Sequence, residues 1–349
     1  MYTERRKIAL LLALGAPFAG TFAAGADSQA VAAPVVEGRL APKPLYRDPV
    51  HDGAADPTLI WNRAKGEWWM FYTNRRADLA TVDPRNVAWV HQTRIGIAVS
   101  RDQGATWTYR GTANIPYGTA EYTHWAPDIV YSGGRYHMFL TIVPGTFENW
   151  NTPREIIHLS SAGLEAWKFV GKLELGSDRV IDPSLAQLPD GTWRLWYKDE
   201  RDHSHIHYAE SKDLNAWTAM GAAITDRNSE GPKIFHWHGQ YWMIVDAGRG
   251  LAVYQSPDAL DWKPQAEFLL QAPGHAATDR GFGHHCDVVV NGDRAFLFYF
   301  THLQGADEIP DLPHSAQRSV LQVGELIWAD GKLTVDRDRA THVLLGGAR

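Results

Sequence analysis

Cysteine is almost missing from this chain. Its 349 residues include one, Cys286, so no disulfide can form within it. Stability has to come from a buried core, and the length allows a sizeable one. Positive charge is in deficit as well: 34 basic against 40 acidic side chains leave a net charge of −6. That balance disfavours nucleic acid and anionic membrane surfaces as partners. No stretch keeps an apolar face at helical spacing for three turns, which excludes a helical bundle. Long apolar runs are confined to the N-terminus. There Arg5, Arg6 and Lys7 precede an apolar stretch, and Ala24-Gly25-Ala26 fits a small-residue cleavage site. The stretch is too short and too weakly apolar to span a membrane. Residues 1–26 therefore read as a signal peptide and the protein as secreted or periplasmic, with no membrane attachment after cleavage. Cleavage removes three basic residues and one acidic residue, which moves the net charge from −6 to −8.

Aromatic residues are abundant: 15 Trp, 13 Tyr and 12 Phe. They favour strands, and they also stack on sugar rings. Most lie in runs that share one plan. A short motif opens each unit: ADPTLIW at 55–61, APDIV at 126–130, IDPSLAQ at 181–187, EGPKIF at 230–235 and HCDVV at 285–289. A turn follows, then an aromatic strand such as GEWWMFYT, GRYHMFLTI or GTWRLWYKD. The acids Asp56, Asp128, Asp182, Glu230 and Asp287 recur at intervals of 48 to 72 residues, which suits four-stranded blades with variable loops. A second repeat falls later in each unit. Ser100-Arg101-Asp102-Gln103-Gly104-Ala105-Thr106-Trp107 is its clearest copy, with weaker ones around Trp167, Trp217 and Trp262. The reading is an all-β, single-domain, five-bladed β-propeller over residues 46–349, preceded by a linker or strap at 27–45. A β-sandwich does not repeat at this period.

A ring of such units brings several carboxylates to one axis. Hydrolysing a glycoside needs a protonated carboxyl to protonate the leaving oxygen and an ionised one to activate water or attack carbon. Asp182 beside Glu230 is expected to keep Glu230 protonated through like-charge repulsion, with Asp56 ionised. Asp before Pro also initiates turns, so a capping role stands beside the catalytic one for Asp56 and Asp182. Glu caps poorly, and Glu230 is the sharper candidate.

These motifs resemble glycoside hydrolase family 43 and its clan of five-bladed propellers. The resemblance rests on D-P at Asp56, W-A-P-D at Trp125–Asp128, D-P-S at Asp182 and E-G-P at Glu230, over roughly residues 50–335. It implies Asp56 as general base, Asp182 as the residue that orients the acid and tunes its pKa, and Glu230 as general acid. It implies an oligosaccharide or polysaccharide substrate, inversion, no required cofactor, and room for a structural calcium. The expected activity is that of an α-L-arabinofuranosidase or β-xylosidase on furanoside or pentoside linkages. A galactofuranosidase or neoagaro-oligosaccharide hydrolase on the same scaffold is the second reading. The third is a non-catalytic carbohydrate-binding propeller, for which the E-G-P glutamate has no use.

Further candidates come from position near strand ends. Trp125, Asp128, His285, Arg249 and Arg318 are expected at substrate hydroxyls, and Trp61, Trp69 and the Asn149-Trp150-Asn151 loop at subsites. His285 opens its unit as Asp56 opens the first, so it points inward and is the one candidate metal ligand, with His284 beside it. His203, His205 and His207 fall on one face if they lie on a strand. Cys286, ahead of Val288–Val290 in sequence, reads as a buried structural thiol.

Overall fold

The alternation within the aromatic strands decides the architecture. In β3 (Glu67–Asn74) every residue is buried. Trp68, Met70 and Tyr72 pack into one apolar cluster, and Trp69 and Phe71 into another. Successive side chains leave opposite faces of a strand, so a strand apolar on both faces needs a sheet on each side. Five sheets around an axis meet that need for every sheet, because a ring has no outermost member.

The computed structural model describes residues 37–80, 83, 85–303 and 315–347. The expected signal peptide, residues 1–26, and residues 27–36 of the expected strap lie outside the described residues. Residues Glu37–Arg349 form one compact unit. Blade one is β2 (Ala54–Asn62), β3, β4 (Arg94–Ser100) and β5 (Thr108–Thr112). Blade two is β6 (Thr123–Ser132), β7 (Arg135–Val143), β8 (Glu155–Ser161) and β9 (Lys168–Lys172). Blade three is β10 (Val180–Gln187), β11 (Trp193–Asp199), β12 (His205–Ser211) and β13 (Thr218–Ile224). Blade four is β14 (Glu230–Trp237), β15 (Gln240–Asp246), β16 (Leu251–Ser256) and β17 (Lys263–Pro264). Blade five is β18 (His284–Asn291), β19 (Arg294–His302), β20 (Ser319–Ala329) and β21 (Lys332–Val335). Each blade is an antiparallel meander in sequence order, and its first strand faces the axis. Helix is confined to single 3-10 turns among the described residues.

Five of the six apolar clusters of the core lie between blades, one for each neighbouring pair; the sixth gathers Val87, Val90, Trp125, Ala126, Val143 and Ile181. Trp69 and Phe71 meet Met138 and Leu140, Phe139 meets Leu195 and Tyr197, and Trp196 meets Met243 and Val245. Trp242 and Ile244 meet Leu297 and Tyr299, and Phe296 and Phe298 close the ring against Met70 and Tyr72. Each large apolar side chain buried this way contributes about 1.5–3 kcal/mol. Cys286 lies in the cluster between blades four and five, where burial pushes its thiol far above the ordinary range, as a structural cysteine requires.

The chain ends help to fasten the ring. A short strand β1 (Arg39–Leu40) pairs antiparallel with β22 (His342–Val343), and Tyr46 bridges to Leu321 on β20. The later part of the strap is thus paired to the C-terminal segment, and Tyr46, the first residue after it, to blade five. The second repeat forms the turn between the third and fourth strands of a blade. Asp102 accepts bonds from Ser100 and Thr106, and the Trp107 indole donates to Gly104 O at 2.9 Å. Ser211 with Asp213 and Ser256 with Asp258 repeat the pattern, so this motif is structural.

Candidate active site

All five axial strands break register at the same place: between Ala55 and Thr58, Trp125 and Asp128, Ile181 and Ser184, Glu230 and Lys233, and His284 and Cys286. Each break is a β-bulge, which bends the strand and re-aims the side chain at the bulge. The residue there has positive φ in four blades: Asp56 at 49°, Ala126 at 42°, Asp182 at 58° and Gly231 at 55°. Such backbone is strained for any residue but glycine, and the surrounding structure has to hold it. It does so from the preceding blade: Thr73 Oγ1 accepts from Ala126 N at 2.8 Å, Thr141 Oγ1 from Asp182 N at 2.9 Å, and Asp246 Oδ2 from His285 N at 3.2 Å. In blade four Gly231 occupies the bulge because the His285 ring lies against it: a Cβ there would fall 2.5 Å from that ring. The acid of that blade stands one residue earlier, at Glu230.

The bulges aim Asp56, Asp182, Glu230 and His285 into one cavity of about 300 Å³, whose wall also includes Arg75, Trp125, Trp150, Arg154, Lys198 and Glu200. His285 Nδ1 lies 3.6 Å from Asp56 Oδ1 and 4.0 Å from Asp182 Oδ2. Arg75 Nη2 is 3.4 Å from Asp56. Asp182 Oδ2 accepts the Gly231 N–H at 3.0 Å, which ties it to the peptide next to Glu230. Trp125 donates its indole N–H to Val90 O, and its ring tilts toward Trp150 at 6.1 Å. The half-exposed Trp150 is held by its carbonyl, which accepts from Arg154 and Arg179.

The charges here differ from the sequence expectation. Lys198 Nζ lies 2.8 Å from Glu230 Oε2. Burial works to raise the Glu230 pKa. The Lys198 charge and hydrogen bond, helped by His285 and Arg75, outweigh it and hold Glu230 well below the usual carboxylate range. Asp182 goes the other way: burial pushes it up to about 7, with His285 opposing and Glu230 and Asp56 adding to the rise. As the structure stands, Glu230 is ionised and Asp182 holds protons more readily. Repulsion from Asp182 does not set the state of Glu230, because Lys198 is closer and of opposite sign.

Several candidates lie elsewhere. Asp128 is two residues beyond its bulge, deeper in the channel, where Lys233 binds it at 3.1 Å and the Leu185 N–H at 2.7 Å. It does not line the cavity. Arg249 is exposed beyond β15, with its carbonyl on Gln271, and Arg318 pairs with Asp52 at 2.8 Å; neither reaches the cavity wall. Trp61 packs edge-on against Trp68, and Trp69 is wholly buried. His203 sits in a turn at φ 53° rather than on β12, while His205 and His207 share Asp202 at 3.3 and 2.8 Å. Arg75, Arg154, Lys198 and Glu200 were missed. For Arg75, Lys198 and Glu200 the available signal was a charged residue at or just past the end of the second strand, as in TNRR and WYKDE; Arg154, ahead of the third strand of blade two, carried no such signal.

The candidate metal site at His285 does not form. His284 is engaged by Asp246 at 2.9 Å, and His285 faces two carboxylates of the cavity. Deeper in the ring, the acids Asp128 and Asp287 already carry the buried Lys233 ammonium, three backbone N–H groups and the Thr58 hydroxyl. That donor set does not fit a divalent ion. Among the described residues no group of three or more His, Cys, Asp or Glu gathers to hold one.

Known proteins place this geometry. A structure of a GH43 β-xylosidase/α-arabinofuranosidase from a compost microbial metagenome, with xylotriose and in calcium-free form, superposes with a TM-score of 0.61. The match has 14% identity and covers 85% of this chain and 97% of that one. The GH43_1 enzyme of Xanthomonas citri with xylotriose gives a TM-score of 0.59 at 14% identity, covering 84% and 93%. Xylan β-1,4-xylosidase of Bacillus halodurans C-125 gives 0.60 at 16% identity; the alignment covers 83% of this chain and 56% of that longer one. At such identities the likeness speaks for the fold. No curated protein sequence matches. Residues 110–299, more than half of the chain, match the family model for glycosyl hydrolases family 43 and span the bulges of Asp182 and Glu230. Motif order, propeller and family match agree, and the chain belongs to glycosyl hydrolases family 43.

Proposed function

We propose that this glycoside hydrolase cleaves a pentoside or furanoside linkage, such as α-L-arabinofuranosyl or β-D-xylosyl, with inversion. One observation carries the reading: three bulges on blades one, three and four turn Asp56, Asp182 and Glu230 into a single aromatic-walled cavity. At about 300 Å³ the cavity is at the small end of ligand sites, which suits one pentose-sized ring and its leaving group. Trp125 and Trp150 supply apolar faces on which a sugar can stack.

In this reading Glu230 delivers a proton to the glycosidic oxygen as the C–O bond breaks. Asp56 takes a proton from the water that attacks the opposite face of the anomeric carbon. Asp182 orients the acid through Gly231 N–H. No cofactor enters either step. The basic Arg5–Lys7 cluster and the apolar stretch behind it support export before the enzyme meets its polysaccharide.

A screen of 4-nitrophenyl glycosides, with product anomers followed by NMR, tests this. Turnover of a pentoside with inverted configuration is expected. Asp56→Asn and Glu230→Gln should each lower kcat at least about a thousandfold with the fold intact. Near wild-type turnover in either variant overturns the assignment, and binding without hydrolysis of any glycoside favours the carbohydrate-binding reading.

A further inference from the structure

Glu230 is ionised as the structure stands, yet the proposed mechanism needs it protonated before the leaving group departs. Lys198 is the cause and sits between two acids. Its Nζ lies 2.8 Å from Glu230 Oε2 and 3.5 Å from Glu200 Oε1. The Lys198 side chain is only 10% exposed, so it has little water to turn to, whereas Glu230 is 46% open to the cavity. Glu200 is fixed in its place by Arg154 at 2.7 Å and Arg179 at 3.3 Å. Both arginines also bind the Trp150 carbonyl, so this second partner is part of the cavity wall.

We propose that Lys198 is a positioning residue that sets the proton on Glu230 by shifting between Glu230 and Glu200. This rests on the reading of Glu230 as general acid. With the ammonium drawn toward Glu200, the nearest opposite charge leaves Glu230, which then takes a proton from solvent more readily. As that proton passes to the leaving oxygen, the ammonium returns and stabilises the carboxylate left behind. The proton thus moves from solvent to Glu230 to the departing alcohol, and the 2.8 Å Lys198–Glu230 pair corresponds, in this proposal, to the arrangement after donation. An acid pKa fixed very low would leave almost no protonated Glu230 near neutral pH, and one fixed high would make it a poor donor. A movable ammonium avoids both.

The charges facing Glu230 come from every neighbouring element: Lys198 at β11, Asp182 at β10, His285 at β18, Arg75 beyond β3, and Arg154 ahead of β8. Lys198 is the nearest cation among them.

The test needs no substrate. In protein labelled with 13Cδ-glutamate, the carboxyl resonance lost in Glu230→Gln reports Glu230. Its midpoint is expected below the ordinary glutamate range in the wild type. In Lys198→Met it should rise by at least about one pH unit, a tenfold change in protonated fraction. In Glu200→Gln it should fall further, since Lys198 then has one partner. In Lys198→Met/Glu200→Gln it should equal that of Lys198→Met alone, because Glu200 acts through Lys198. A midpoint unmoved by Lys198→Met overturns the proposal, and additive effects overturn the exchange between partners. Circular dichroism confirms the fold of each variant. The basic limb of kcat/KM should follow the midpoint; if the resonance moves and the limb does not, the Lys198 pairing stands and the general-acid reading of Glu230 fails.

Discussion

Lys233 Nζ lies 2.8 Å from Asp287 Oδ1 at the centre of the ring, three residues along β14 from Glu230. From there one buried network reaches every blade. Lys233 also binds Asp128 on blade two at 3.1 Å. Asp287 accepts the N–H of Leu59 on blade one at 2.6 Å, and Asp128 that of Leu185 on blade three at 2.7 Å. Leu59, Leu185 and Lys233 each stand three residues after Asp56, Asp182 and Glu230. The three carboxylates of the cavity are therefore anchored, at the same distance along their strands, to one ion cluster.

Removing the ammonium should be costly. Lys233→Met leaves two buried carboxylates without their cation and is expected to lose about 3–5 kcal/mol of stability. Adding Asp287→Asn should recover part of it. Chelation of the wild type should leave Tm unchanged, since the ammonium already neutralises the channel. Urea unfolding and thermal melts check this; a Lys233→Met protein as stable as wild type would sink the anchoring role.

Asp182→Asn separates two roles. The amide oxygen of Asn can still accept the Gly231 N–H, so geometry is kept while the carboxyl that burial pushes up to about 7 is removed. A limb of the pH–rate profile near 7 that comes from Asp182 should then be lost. A limb that stays in place means that Asp182 acts only by holding Gly231.

Gly231→Ala should damage activity more than stability. At φ 55° with the His285 ring 2.5 Å from the new Cβ, the bulge has to shift. The backbone strain costs about 1–3 kcal/mol. Moving the adjacent Glu230 by an ångström should lower kcat about a hundredfold. Unchanged kcat in a folded variant would show that the bulge does not place the acid.

Acid should weaken the fold well above the usual carboxylate range. Burial holds His91 and His158 down to about 4 and His124 and His302 down to about 3. Each is neutral when folded and protonates near 6.5 when unfolded, so its contribution is complete above 6.5 and is lost as pH falls toward the folded value. The raised Asp182 and Asp287 act in the opposite sense. The histidines, with His137 also held down by burial, outnumber the two carboxylates, so unfolding takes up protons as pH falls below 6.5. Unfolding free energies across that range check this, and His124→Gln should flatten the slope by about one proton. A slope of zero would contradict the burial of these rings.

Much of the site was legible because its chemistry is local. Asp-Pro and Glu-Gly-Pro at the start of a strand mark a bulge, and a bulge that faces an axis presents its side chain there. Asp128 and Asp287 open their units as the three acids do, but one step of two residues along a bulged strand sets them apart from the cavity. Arg249 and Arg318 were chosen for their nearness to strand ends, but such nearness does not say which way a side chain leaves the sheet.

The sequence by itself determined the number of blades, their order, the two-sided burial of their strands and the three acids, because these follow from periodicity and from residue chemistry along the chain. Only the tertiary structure decided which charges stand beside those acids. Lys198 reaches Glu230 from 32 residues away, His285 reaches Asp56 from the neighbouring blade that closes the ring, and Lys233 neutralises acids from two other blades. Electrostatic coupling depends on distance through space, and in a ring a charge beside an acid can belong to a different blade.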